Sequence, residues 1–161
     1  VTQRFNTETY EANRAFCQKR IPKGCAYGSP ILLSNAIPVN APVMVIEMNI
    51  ETNRIMGIGL ITNMPHKCKY RIYDDSIEKH AEYNRYAYVG KYRIDRAEMT
   101  EHENRIIRAF EIMCFYGKDH IKRGRGLLCF PLKKLWYAKD VIDLVQFIQN
   151  MFRHRINKNS V

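Results

Sequence analysis

PVMVIEMNIETNRIMGIGLITN, residues 42–63, decides the fold. Val43–Ile50 is apolar and β-branched, Glu51–Arg54 is a short polar turn, and Ile55–Thr62 is apolar again. Two buried strands around a four-residue polar break form a β-hairpin. Gly57 and Gly59 fall inside the second strand, where glycine marks a bulge or a place that another group approaches closely.

Outward from the hairpin, residues 21–42 hold Pro22, Gly24, Gly28, Pro30, Pro38 and Pro42, which excludes a long helix and leaves one short turn in LLSNAI. Residues 1–20 are polar with scattered aromatics and predict an early strand or helix. On the other side, KYRIYDD (69–75) alternates like a short strand, followed by a polar loop at 74–84. RYAYVGKYRIDR (85–96) places Tyr86, Tyr88, Gly90, Tyr92 and Ile94 on one parity, predicting one strand with an aromatic face.

Thr100-x-x-Glu103 is a capping box, and Ile106, Ile107, Phe110 and Cys114 recur at helical spacing, predicting a helix over 101–115 that Gly117 stops. LLCFP (127–131) predicts a last strand. Residues 140–155 predict a second helix with Val141, Leu144, Val145, Ile148 and Phe152 inward. The expected sum is a single α+β domain over 1–161, with a mixed sheet of five or six strands and two or three packed helices. Strands joined by hairpins predict a small, curved, partly closed β-barrel.

The net charge is +10, and +7 of it lies in residues 118–161. Such a surplus favours nucleic acid or an anionic membrane as partner. Its densest stretch is GKDHIKRGRG (117–126), where Lys118, His120, Lys122, Arg123 and Arg125 surround Gly124. Glycines let the backbone approach an anion, so these five side chains are the candidate phosphate-binding set. The spacing lacks the G-K-[ST] ending of a nucleotide P-loop.

Catalytic and metal signatures are weak. The five cysteines form no C-x-x-C, and His66-x-Cys68 is the one close His/Cys pair. Asp74, Asp75, Glu78 and Lys79 resemble a nuclease site only loosely and read more simply as solvated charges. No enzyme activity, metal or cofactor is expected. Free thiols point to an intracellular, nuclear or cytoplasmic setting. No apolar run reaches membrane-span length, so no membrane partner is expected.

Three stretches carry a family likeness: KGCAYGSPILLSNAI (23–37), the hairpin itself, and YAYVGKYRIDRAEM (86–99). In this order they resemble the PUA-like superfamily, nearest to its YTH and EVE branches. The resemblance implies a compact barrel that binds RNA or DNA as a single copy and inserts a modified or flipped base into an aromatic pocket. It implies Tyr27 and Ser29 in one wall, Tyr83, Tyr86 and Tyr88 in a second, and Asn35 at a base edge. The tyrosines are interleaved with Arg85, Lys91, Arg93 and Arg96, as a stacking platform requires. The chain departs from YTH readers in having one tryptophan, Trp136, late in the sequence. Tyrosines would have to build the cage, or the ligand is a different base. The alternative function is a basic module that docks on an acidic protein or nucleoprotein.

Overall fold

A computed structural model describes residues 1–66, 70–74 and 78–158, with the backbone alone at 78 and 79. The predicted hairpin is present as β3 (Pro42–Asn49) and β4 (Arg54–Thr62), paired antiparallel. Asn49 shapes its turn: Oδ1 accepts from the backbone N–H of Glu51 (3.0 Å) and Thr52 (3.1 Å), and Asn53 takes a positive φ of 55°. Glu47 pairs with Gly57 while Met48 pairs with Ile55, so Met56 is the extra residue of a bulge beside Gly57.

The hairpin is the middle of a four-stranded sheet. β1 (Thr2–Phe5) runs parallel to β3, and β6 (Tyr92–Asp95) pairs antiparallel with β4, giving the order β1-β3-β4-β6. A second, two-stranded sheet joins β2 (Cys25–Ser29) to β5 (Tyr86–Gly90), with Tyr27 opposite Tyr88. The helices are α1 (Thr7–Arg20), the single turn α2 (Glu78–Ala81), α3 (Glu101–Phe115), α4 (Leu132–Lys139) and α5 (Leu144–Lys158). The α+β class is as expected. Among the described residues no strand pairing closes the two sheets into one barrel. The chain divides into two compact units, Val1–Cys129 and Phe130–Val161, a finer division than the single 1–161 domain of the sequence reading.

Four expectations need correction. The stretch 85–96 is two strands, not one, because the chain turns a corner at Gly90–Lys91 and leaves β2 for β4. Its tyrosines therefore part company: Tyr88 is 1% exposed and Tyr92 is 41% exposed. Residues 70–74 form no strand, since the Asn84 side chain takes the place of a strand partner. Its Oδ1 accepts from Ile72 N (2.9 Å) and Tyr73 N (3.1 Å), and its Nδ2 donates to Tyr73 O (2.8 Å). LLCFP contributes one isolated bridge, Leu128 to Thr2, in place of a strand. The helix predicted from 140 begins at Leu144, because Asp143 Oδ1 accepts from Gln146 N (3.0 Å) and caps it. Val141 is consequently exposed, Val145 is too, and Met151 joins Leu144, Ile148 and Phe152 as the buried face. The unpredicted α4 carries Trp136, which is 76% exposed.

Within the first unit, strand pairing puts Val43, Val45, Glu47, Gly57, Gly59, Ile61, Arg93 and Asp95 on one face of the larger sheet. That face meets the smaller sheet, and the apolar cluster there includes Phe5, Cys17, Tyr27, Val45, Tyr73 and Tyr88. A charged group sits in the middle of it. Glu47 is fully buried; its Oε1 accepts from Tyr27 Oη (2.7 Å) and Arg93 Nε (2.8 Å), and its Oε2 from Arg93 Nη2 (2.6 Å). Arg93 also donates to Asp95 (2.6 Å) and to Tyr10 Oη of α1 (3.1 Å). Burial alone would lower the Arg93 pKa, but the hydrogen bonds and charge of Glu47, joined by Asp95, raise it. A Cβ on Gly59 would overlap Tyr27 Oη, so the glycine is what admits the tyrosine to Glu47.

On the other side of β4, α3 is held by Glu111, whose Oε1 accepts from Ile55 N (2.9 Å) and Arg96 Nη1 (2.9 Å). The predicted capping box starts this helix: Glu103 N donates to Thr100 Oγ1 (3.2 Å) and Thr100 N to Glu103 Oε2 (2.8 Å).

Removing Arg93 alone strands a buried carboxylate. Arg93→Met is expected to cost about 3–5 kcal/mol in urea unfolding, and Glu47→Leu in the same chain to recover a large part of it, giving a double-mutant coupling of about 0.5–3 kcal/mol. Strictly additive losses would show that the pair does not act as a unit.

Candidate nucleic-acid interface

The basic loop is a fixed structure and not a tail. Gly117, Gly124 and Gly126 have φ of 80°, 130° and 68°, conformations that side chains resist. Its start is anchored by Ile121 N to Cys114 O (2.8 Å). Its middle is anchored by Arg4 of β1, whose Nε donates to Ile121 O (2.7 Å). Its end is tied by Leu127 N to Ser29 Oγ (3.3 Å) and by reciprocal bonds between Thr2 and Leu128 (2.8 and 3.1 Å). A Cβ on Gly124 would stand 3.4 Å from Arg4 Cζ, so the guanidinium lies directly against the loop.

Two clefts flank this loop. The smaller, about 350 Å³, has Gln3 and Arg4 of β1, Asn6 and Thr9 at the start of α1, Tyr73, His80 and Tyr83 on one side, and Lys122, Gly124 and Arg125 of the loop on the other. Tyr73 and Tyr83 meet edge to face, with ring centroids 6.2 Å apart, and Tyr73 contacts His80 at the same centroid distance. The larger cleft, about 700 Å³, is bordered by Pro30, Ile31, Arg71, Glu82, Arg85 and Arg125. Arg125 belongs to both, and its exposed ion pair with Glu82 (2.6 Å) lies where they adjoin. Arg85 lies over the Tyr86 ring, 5.9 Å from its centroid.

The smaller cleft is electropositive. Arg4, Lys122 and Arg125 line it, and no carboxylate is among its described lining residues, although Glu82 pairs with Arg125 at its edge. The partial positive charge at the start of α1 adds to this field. Asn6 and Thr9 close a capping box there: Thr9 N donates to Asn6 Oδ1 (2.8 Å) and Asn6 N to Thr9 Oγ1 (3.1 Å). Two side-chain polar atoms of its residues, Arg4 Nη1 and Gln3 Oε1, are buried without a hydrogen-bond partner. Orphans of this kind are rare and mark places where a ligand or water completes the bonding. Burial lowers the pKa of Arg4, although a guanidinium keeps its charge, and burial raises that of the Tyr73 phenol, which stays neutral.

The residues expected at the site divide three ways. Tyr83, Lys122 and Arg125 are brought together in the smaller cleft. Tyr27, Ser29 and Tyr88 are buried and already engaged: Tyr27 holds Glu47, Ser29 Oγ donates to Ile31 O (2.7 Å), and Tyr88 Oη accepts from Leu33 N (2.9 Å). None of the three offers a free face to a base, so the expected pocket between Tyr27 and Tyr86 is replaced by packed core. Asn35 is exposed, Tyr86 is half-buried, and Lys118, His120 and Arg123 stand outside the lining of either cleft. His120 has a local role, its Nδ1 accepting from Lys122 N (3.4 Å).

Among the cleft residues that the sequence did not single out are Gln3, Arg4, Asn6, Thr9, Tyr73 and His80. Asn6-x-x-Thr9 was readable as a helix start. Arg4 was signalled only by being a cation beside Gln3 in a short strand. Cys68, Asp75 and the side chains of Glu78 and Lys79 lie outside the described residues. Among the described residues no three metal-ligating side chains converge, and no helix is long and apolar enough to cross a membrane.

No protein-family model, no curated protein and no solved structure matches the chain.

Arg4 and Arg125 are expected to separate anchoring from surface charge. Arg4→Met is expected to cost about 1–3 kcal/mol and to speed amide hydrogen exchange at 121–127. Arg125→Ala, which breaks an exposed pair, is expected to change stability by less than about 1 kcal/mol. Equal effects of the two would contradict this assignment.

Proposed function

We propose that the chain is a nucleic-acid-binding module without catalytic chemistry, seating one nucleotide of a single RNA or DNA strand in the smaller cleft. The observation that carries the reading is one set of residues lining one cleft. A half-buried ring (Tyr83, backed by the buried Tyr73), three cations (Arg4, Lys122, Arg125) and two residues with an unpaired buried polar atom (Gln3, Arg4) line the same cleft. A nucleotide supplies what each lacks: a flat face for the Tyr83 ring, phosphate oxygens for Arg4, and a hydroxyl or N–H donor for Gln3.

The strand continues over Arg125 into the larger cleft, where Arg71 and Arg85 meet its phosphates. Rings sort bases by stacking, while the cations add affinity that does not depend on sequence. The PUA-like resemblance belongs to this proposal, with the two sheets as a curved, partly closed barrel and the site shifted from Tyr27 to Tyr83. Lys118, His120 and Arg123 then serve as outer contacts on the same loop. A nuclear or cytoplasmic setting and action as a single copy follow from the same reading.

Fluorescence anisotropy with labelled single strands tests it. Binding is expected to weaken steeply between about 50 mM and 200 mM salt. Lys122→Ala is expected to weaken all sequences alike and reduce the salt slope by about one unit. Tyr83→Ala is expected to lose about 1–3 kcal/mol, unevenly among bases. Absence of binding at low salt would overturn the reading. Capture of acidic polypeptides in place of strands would turn it to the basic interaction module.

A further inference from the structure

We propose that the nucleotide seated in the smaller cleft is a chain end, and that Arg4, Lys122 and Arg125 recognise its terminal phosphomonoester. The inference rests on the strand-binding reading and names its ligand more narrowly.

Charge is the first argument. A phosphodiester inside a strand carries one negative charge, whereas a terminal phosphomonoester carries about 1.5 to 2 at neutral pH and three strong acceptor oxygens. The cleft sets three cations from two separate segments, β1 and the basic loop, around about 350 Å³. Among the described lining residues there is no carboxylate; Glu82 pairs with Arg125 (2.6 Å) at the edge of the cleft and leaves Arg4 and Lys122 as the cations without a carboxylate partner among the described residues. Arg4 and Lys122, both partly buried, gain most from the most highly charged acceptor, because solvent screens them less than it does the exposed Arg125.

Geometry is the second. Arg4 is held by its Nε bond to Ile121 O, which fixes the plane of the guanidinium. Its Nη1 is buried with no acceptor. A pre-oriented guanidinium with an unpaired edge suits a phosphate that presents several oxygens at once. Lys122 stands on the same loop as a mobile point charge. Gly124, with no side chain, lets Leu128 and the Arg4 guanidinium pack against the loop. Arg125 marks the exit, since it also borders the larger cleft through which the strand would leave.

The test compares matched single strands carrying a 5′-phosphate, a 3′-phosphate or hydroxyls at both ends, together with a circular strand of the same composition. A phosphate at one end is expected to tighten binding about tenfold or more, and Lys122→Ala is expected to remove most of that gain. Lys122 suits this role because its side chain makes no hydrogen bond or ion pair among the described residues. Circular and hydroxyl-ended strands binding as tightly as both phosphorylated ones would overturn the inference and leave the strand reading standing. No binding of any strand would overturn both.

Discussion

The buried Glu47–Arg93 pair is the constraint around which the first unit is organised. Taking both charges out of water costs several kcal/mol each, and only a complete set of partners offsets this. The set here draws on four elements: Glu47 from β3, Arg93 and Asp95 from β6, Tyr27 from β2 and Tyr10 from α1. It therefore fixes the larger sheet, the smaller sheet and the first helix relative to one another. It also fixes register. A one-residue slip of β3 would carry Glu47 to the opposite face and leave Arg93 and Tyr27 unpaired. Gly59 belongs to the same device, since a side chain there would occupy the space of the Tyr27 hydroxyl.

The placement of the cleft follows from that frame. β1 is held parallel to β3, and this presents Gln3 and Arg4 beside the start of α1. Arg4 and Ser29 then receive the basic loop, which returns to β1 through Leu128. Asn84 sets Tyr73 against Tyr83 by bonding to the backbone of 72–73. The cleft is thus assembled from segments far apart in sequence, each fixed by hydrogen bonds that the fold requires. Its positive field comes from charges positioned by these bonds, which is the preorganisation that binding of an anion needs.

Legibility from sequence followed the range of the deciding interaction. The hairpin, its turn, the capping box of α3 and the stop at Gly117 depend on residues a few positions apart, and all are where they were expected. The corner at Gly90–Lys91 was hidden because period-two alternation continues across it while the pairing partner changes from β2 to β4. The start of α5 was placed early because an apolar period ran through Val141, whereas Asp143 is the residue that caps the helix. At the site, the cations of the loop and Tyr83 were visible as composition. Arg4, Tyr73 and His80 were not, since only tertiary contact brings them to the loop. Tyr27 was misleading for a physical reason: the PUA-like resemblance implied a wall there, and nothing local reveals that its hydroxyl is taken by Glu47.

The central claim is that Arg4, Tyr83 and the loop around Gly124 form one binding surface. Nuclear magnetic resonance tests it most directly, by titrating a phosphorylated single strand into the isotope-labelled wild-type chain. The account predicts that the largest changes fall on the Arg4 Nε–H, the Gly124 amide and the Tyr83 ring, while residues of α4 and α5 change little. Changes concentrated on α4 and α5, with those three signals unmoved, would contradict it.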